Sequence, residues 1–135
     1  IKELAERDSR IKFFGFVTKD KVSQLQSQAT VLVNPRQNIG EYTKYSFPSK
    51  TMEYLLSGVP VVAYKLDGIP DEYDPYLIYV KDNSPQSLAL TLCDVCDDLD
   101  GRYKQIAKKA AEFVVREKNP LTQAGKIIEL IRKNK

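Results

Sequence analysis

The stretch FPSKTMEYLLSGVPVVAY, residues 47–64, joins a helical pattern directly to an apolar strand and decides the fold class. Pro48 is favoured in the first turn of a helix, and Gly58 is favoured just past the last turn. The buried side of this predicted helix is marked by an apolar stripe of Met52, Leu55 and Leu56. The unbroken apolar run VPVVAY then predicts a strand covered on both faces, as parallel sheets require.

The same alternation extends along the chain. Three more apolar runs predict strands, IKFFGFV at 11–17, TVLVNPR at 30–36 and LIYV at 77–80. Helix starts are predicted at Thr18, Ser84 and Asn119. The last helix is expected to bury Ala124, Ile127, Ile128 and Ile131. The class is therefore α/β, a Rossmann-like parallel sheet of about four strands with flanking helices and a helical C-terminal tail, and residues 1–135 form a single domain.

The amino-acid composition disfavours several classes of protein. Hydrophobic residues make up 42% of the 135 residues, the net charge is +3 and histidine is absent. The sequence lacks the basic stripe interleaved with aromatics that is typical of nucleic-acid binding. No apolar run approaches the ~20 residues of a membrane-spanning helix. Two cysteines make no disulfide framework, which favours a cytoplasmic setting. The basic residues that accumulate toward the C-terminus fit either a solvated helix face or contact with an anionic membrane or partner.

Three weaker patterns, a cysteine pair, an Asp-Leu-Asp segment and a glycine, indicate structural roles and not a functional site. Cys93 and Cys96 lie in the middle of a predicted helix without a second pair, so we predict no metal site and expect Cys96 to be buried. Asp98-Leu99-Asp100 ends a helix, which is the wrong place for a metal-binding D-x-D. Gly68 is expected to supply backbone geometry that other residues resist.

Ligands of open parallel sheets bind outside the carboxyl ends of the strands. That rule selects 15–17, 34–36, the following loop to Tyr45, and the helix start at 46–50. The helix start is the strongest candidate, because its unpaired N–H groups and positive dipole end favour phosphate. Lys50 in that first turn is repelled by the dipole unless an anion offsets it.

Glu53 shares one helix face with Ser49 and Lys50. A carboxylate there is suited to accept two hydroxyl hydrogen bonds, as from a ribose diol, just beyond bound phosphates. The alternative is a surface ion pair between Lys50 and Glu53. Helix geometry alone leaves both open.

The stretch 47–64 strongly resembles the C-terminal donor-binding domain of GT-B retaining glycosyltransferases of group 1. The order of the other segments is also similar: IKFFGFV, a helix, TVLVNPR, the glutamate helix, SGVPVVA, DGIPDE and a helical tail. The resemblance implies a metal-free enzyme that uses a UDP- or GDP-linked sugar as donor, with no other cofactor. Such an enzyme would transfer a hexosyl or N-acetylhexosaminyl unit to a glycan or lipid-linked acceptor of surface polysaccharide.

The resemblance also implies a set of donor-binding residues. Glu53 would hold the ribose hydroxyls, the amides of 47–49 would face the diphosphate or sugar, and 15–17 would border the base. The family's first glutamate would fall at Tyr45, a departure that leaves the sugar contact unassigned; no catalytic residue is assigned. The complete set is Gly15, Phe16, Val17, Arg36, Tyr45, Ser46, Phe47, Pro48, Ser49, Lys50 and Glu53.

The resemblance implies further strands ahead of the part that matches Ile1 and an acceptor-binding N-terminal lobe, neither of which is included in residues 1–135. We therefore expect a partial domain, inactive alone, with the strands at 11–17 and 30–36 paired with each other, with another chain or with another piece of the protein. Its location would be cytoplasmic or peripheral to the inner face of the membrane. The alternatives are a nucleotide-sugar 2-epimerase of the same fold and a non-catalytic nucleotide-binding module.

Overall fold

The computed structural model describes residues 1–98 and 101–134. It contains six α-helices and three strands within those ranges. The helices are α1 Lys2–Arg7, α2 Lys19–Ser27, α3 Ser49–Leu56, α4 Pro85–Asp97, α5 Arg102–Glu117 and α6 Pro120–Lys133. The strands are β1 Leu32–Asn34, β2 Val61–Ala63 and β3 Ile78–Tyr79, and two 3₁₀ helices lie at Glu41–Lys44 and Asp71–Tyr76.

The three strands form one parallel sheet in the order β1-β2-β3. Successive residues of a strand point to opposite faces, and the central strand β2 shows this clearly. Val61 enters one buried cluster with Leu55 of α3 and Phe113 of α5, whereas Val62 enters a second cluster with Val95 of α4. The sheet is therefore covered on both faces, which confirms the predicted α/β class.

The predicted helix boundaries are confirmed where a side chain or a glycine defines them. The side chains of Thr18, Ser84 and Asn119 each accept a hydrogen bond from a backbone N–H in the first turn that follows. Gly58, just past α3, has φ +70°, a left-handed conformation that glycine adopts readily.

The strand predicted at 11–17 is wrong. No part of this segment is a strand, Phe13, Phe14 and Phe16 are exposed, and Gly15 at φ +62° interrupts the extended run. A strand is stable only when its N–H and C=O groups are paired, and no sheet pairing reaches this segment within 1–98 and 101–134. The sheet consequently has three strands instead of about four, and the predicted pairing of 11–17 with the strand at 30–36 does not form within the chain.

The buried faces of two helices also differ from prediction. The sequence pattern places Ala124, Ile127, Ile128 and Ile131 inside, and this is wrong. Ala124 is exposed, the three isoleucines are 60%, 49% and 55% exposed, and no residue of α6 is buried. On α4 both cysteines are exposed and Val95 is the residue that is fully buried.

The predicted apolar stripe of α3 is covered only in part, because Leu56 is 48% exposed. Leu99 and Asp100 of the Asp98-Leu99-Asp100 segment lie outside the described residues. None of the described helices combines the length and the apolar character that crossing a membrane demands.

Candidate functional site

Arg36 anchors the loop that leaves the carboxyl end of β1. Its guanidinium donates a hydrogen bond of 2.8 Å from Nη2 to the Ser46 hydroxyl and lies 5.2 Å from the centre of the Tyr42 ring. One residue later, the Gln37 side-chain amide donates to the backbone carbonyl of Asn83, 3.1 Å away, in the loop after β3. These bonds bring the loops at the carboxyl edge of the sheet together and place a cation beside the residues that open α3.

Gly68, after β2, holds the same loop from the other side. Its N–H donates to the Thr43 carbonyl at 3.1 Å, and Thr43 is only 1% exposed. A Cβ at position 68 would lie 2.7 Å from the carbonyl oxygens of both Thr43 and Ser46. Gly68 does not have a positive φ, so the expected reason for this glycine is wrong: the position requires glycine because two backbone segments approach it closely.

The N-terminus of α3 has no side-chain cap. Pro48 occupies the N-cap position, no side chain accepts a hydrogen bond from the first turn, and that turn holds no acidic residue. The free N–H groups of a first helical turn together carry about half a positive charge. Without a cap or a nearby carboxylate in that turn, this end of α3 is suited to receive an anion.

The Thr51 hydroxyl in the same turn is buried and has no hydrogen-bond partner within the described structure. The sequence pattern did not predict a buried polar group here.

Glu53 lies one turn further along α3 and is exposed. Neither Glu53 nor Lys50 takes part in an ion pair among the described residues, so the surface pair considered from the sequence does not form. The Glu53 carboxylate is therefore available to accept hydrogen bonds from a ligand.

Two open grooves meet at Glu53. The first, of about 800 Å³, runs between α2 and α3 and is lined by Lys19, Ser23, Lys50, Glu53 and Tyr54, among others. The second, of about 660 Å³, runs on the other side of α3 and includes Phe47, Ser49, Glu53, Glu72, Tyr73 and Lys118. A ligand at the start of α3 can thus extend to either side of the glutamate.

Lys118 and Glu72 in the second groove were not selected from the sequence. The Lys118 side chain is only 9% exposed, pairs with Glu72, and lies 5.1 and 5.2 Å from the ring centres of Tyr73 and Phe113. Burial of Tyr73 raises its pKa above the ordinary value, which keeps the phenol neutral beside this ion pair. In the sequence Lys118 is one of the basic residues near the C-terminus, and its pairing with Glu72 is not visible there because the two are 46 residues apart.

The structure brings most of the predicted site residues together. We call the group that surrounds the start of α3 the α3 site; it consists of Arg36, Ser46, Phe47, Pro48, Ser49, Lys50 and Glu53. Tyr45 adjoins it but is 88% exposed. No hydrogen bond, ion pair or ring contact joins 15–17 to the α3 site within the described chain.

This arrangement defines a class of protein, a Rossmann-like α/β domain with an uncapped helix N-terminus at the carboxyl edge of its parallel sheet. The model of the family glycosyl transferases group 1 matches residues 1–98, well over half of the chain. The chain belongs to that family. Searches of curated proteins and of solved structures gave no match. Glycosyl transfer, with binding of a sugar donor and an acceptor in general, is the function that family membership supports.

Proposed function

We propose that this chain supplies the donor-binding part of a retaining glycosyltransferase of the GT-B fold and that the α3 site holds its nucleoside-diphosphate sugar. The observation that carries the proposal is the position of an unpaired carboxylate, Glu53, one turn beyond the uncapped N-terminus of α3. A nucleoside diphosphate needs positive charge for its phosphates and acceptors for its ribose hydroxyls. Both features occur here on one short helix.

The diphosphate is proposed to bind at the first turn of α3. The helix dipole contributes about 0.3–1 kcal/mol to binding an anion at an exposed helix N-terminus, and up to about 2 kcal/mol when the anion is partly buried. Arg36 and Lys50 add two cations at the same end of the helix. Arg36 is already oriented by its bond to Ser46, so little side-chain conformational entropy would be lost on binding.

Glu53 is proposed to accept hydrogen bonds from the two ribose hydroxyls. Hydrogen bonds to a charged group contribute about 1.5–3 kcal/mol. The carboxylate has no competing ion pair to break in the described structure. Its place between the two grooves would allow the base to lie on one side of α3 and the sugar on the other.

In the proposed reaction the bond between the anomeric carbon and the diphosphate breaks, and the acceptor hydroxyl oxygen forms a bond to that carbon with retention of configuration. The hydroxyl proton passes to the departing diphosphate. Negative charge develops on the departing diphosphate. Groups that are already oriented toward such charge lower the barrier without reorganisation. Here these groups are the α3 N–H groups and Arg36, and the exposed Lys50 adds a further cation. The acceptor is proposed to be a glycan or a lipid-linked glycan of surface polysaccharide, with UDP or GDP as the donor nucleotide and the cytoplasm as the site of reaction.

Amide NMR titrations of the chain with UDP, GDP and ADP test the proposal. We expect one of the three to shift resonances at 46–53 and Arg36, with smaller shifts in α2 if the base enters the first groove. Glu53→Ala should weaken that binding about tenfold or more, whereas Glu112→Ala, a matched change on the exposed face of α5, should not. Shifts confined to other elements, or none with any nucleotide at millimolar concentration, would contradict the donor site.

A further inference from the structure

A charged side chain in the second groove beside α3 is nearly buried. Lys118 directly follows the last residue of α5, lines the groove, and has a side chain that is only 9% exposed. Its ammonium group lies 5.1 Å from the ring centre of Tyr73 and 5.2 Å from that of Phe113. It also donates a hydrogen bond to Oε1 of Glu72, in the 3₁₀ helix that follows β2. The two rings and the carboxylate together hold this cation in one place.

The pair of Lys118 and Glu72 retains hydrogen-bonding capacity at the groove. An ammonium group has three N–H donors and a carboxylate has about four acceptor positions, and the hydrogen bond between the two uses one of each. The Glu72 side chain is 48% exposed, so its carboxylate can be reached from the groove. A molecule that both donates and accepts hydrogen bonds can therefore use this pair without breaking it.

The groove suits a neutral molecule with several hydroxyls. Its lining includes apolar surface from Phe47 and Met52, and its charged members are the carboxylates of Glu53 and Glu72 and the ammonium group of Lys118. These three charges leave a net charge of −1, which disfavours an anion. The volume of about 660 Å³ lies within the range of ~300–1,000 Å³ that is typical of small-molecule pockets.

We propose that this groove holds the transferred sugar of the donor and that Glu72 and Lys118 select a neutral sugar over an acidic one. The proposal rests on the donor role of the α3 site and names the class of sugar that this site accepts. Ser49 and Glu53 belong to both the α3 site and the groove, so a sugar attached to a diphosphate at the first turn of α3 can enter it. Hydroxyls of the sugar donate to Glu72 and accept from Lys118. A carboxylate on the sugar would face Glu72, and the cation that could offset this repulsion is already paired.

Met52 reports directly on this groove, because it is the single methionine of the chain and lies in the lining. The full chain, labelled with ¹³C at the Met52 methyl group, should be titrated with UDP, GDP and ADP and with UDP-glucose, GDP-mannose and ADP-glucose. We expect the nucleotide that binds, and its sugar conjugate, to shift amide resonances at 49–53. The conjugate alone should shift the methyl resonance. An equal methyl shift with the free nucleotide would place the base in this groove and overturn the proposal.

The charge at position 72 provides a second test. Dissociation constants should be measured by calorimetry for the sugar conjugate that binds and for its uronate analogue, which carries a carboxylate at C6: UDP-glucuronate, GDP-mannuronate or ADP-glucuronate. We expect the unaltered chain to bind the uronate about tenfold more weakly. In Glu72→Gln the neutral conjugate should bind about three- to tenfold more weakly than in the unaltered chain, and the discrimination against the uronate should fall to about twofold or less. A purely structural role for Glu72 would change both affinities by the same factor, and that result would overturn the proposal.

Asp74→Asn is the matched control. Asp74 lies in the same 3₁₀ helix as Glu72 and pairs with Lys65, but it is not among the residues that line the groove. Breaking this pair should leave the discrimination between the two conjugates unchanged. The methyl shift and the discrimination are both measured on the unaltered chain as well, so the proposal stays testable if Glu72→Gln does not fold. Absence of amide shifts at 49–53 with every nucleotide would refute the donor site and this proposal with it, whereas amide shifts without a methyl shift would refute the sugar groove alone.

Discussion

Replacement of Gly68 by alanine should disrupt the loop that positions the α3 site. The added Cβ would lie 2.7 Å from the carbonyl oxygens of Thr43 and Ser46. Both contacts are with backbone, so no flexible side chain can move aside. The segment that contains Thr43 and Ser46, or the turn at Gly68, must shift, and the hydrogen bond from the Gly68 N–H to the Thr43 carbonyl would lengthen.

The expected destabilisation combines two effects. Overpacking a tightly filled position costs about 1–3 kcal/mol, and weakening a buried backbone hydrogen bond costs about 0.5–1.5 kcal/mol more. We therefore expect Gly68→Ala to lower the free energy of unfolding by about 2–4 kcal/mol. Because Ser46 accepts the bond from Arg36, a folded variant should also bind nucleotide more weakly.

Urea unfolding followed by circular dichroism measures the effect. Gly125→Ala in α6 is the control, because an added Cβ there meets no atom within 4 Å; it should be neutral or stabilise the helix by up to about 1 kcal/mol. If the free energy of unfolding of Gly68→Ala lies within about 0.5 kcal/mol of that of the unaltered chain, the close approach does not constrain the loop. The explanation for this glycine is then refuted.

Three further predictions concern the rest of the fold. Leu55→Ala, at a fully buried position between α3 and α5, should lower the free energy of unfolding by about 2–5 kcal/mol in urea melts; a loss below about 1 kcal/mol would show that this core is not packed as described. Phe16→Ser should change that free energy by less than about 0.5 kcal/mol, because the ring is fully exposed; a larger loss would mean that 11–17 is a paired strand after all. The nearby Ser84 side chain, a 2.7 Å hydrogen bond from the Ser87 hydroxyl and a 2.8 Å hydrogen bond from the Ser84 N–H lower the pKa of Asp82 from 3.8 to about 2. Its contribution to stability is therefore present above pH 3.8 and is lost as the pH falls through 2. A carboxyl NMR titration should show this pKa, with a higher value in Ser87→Ala; an ordinary value in both proteins would contradict the bonds.

The sequence was sufficient for features that depend on local chemistry. Thr18, Ser84 and Asn119 were identified as caps because their side chains reach backbone N–H groups within the same turn. Gly58 was identified because only a glycine readily adopts the conformation that ends α3. The alternation of apolar runs and helices predicted a parallel sheet because each such strand is buried on both faces.

Features that depend on distant contacts were not predictable in the same way. The run at 11–17 has the composition of a strand, but a strand also needs a neighbour, and composition does not supply one. The isoleucines of α6 have the spacing of a buried stripe, but spacing does not show whether anything covers it. Lys118 and Glu72 meet across 46 residues, and the requirement for glycine at position 68 comes from carbonyls more than 20 residues earlier in the chain.

We propose that Glu53 holds the ribose of a nucleoside diphosphate, and a thermodynamic cycle tests this role most directly. The dissociation constants of the preferred nucleotide and of its 2′,3′-dideoxy form should be measured by calorimetry for the unaltered chain and for Glu53→Ala. Our account predicts that loss of both hydroxyls weakens binding to the unaltered chain by about 1.5–3 kcal/mol and has less than about 0.5 kcal/mol of effect in Glu53→Ala. An equal loss in the two proteins would show that the ribose hydroxyls do not bind Glu53.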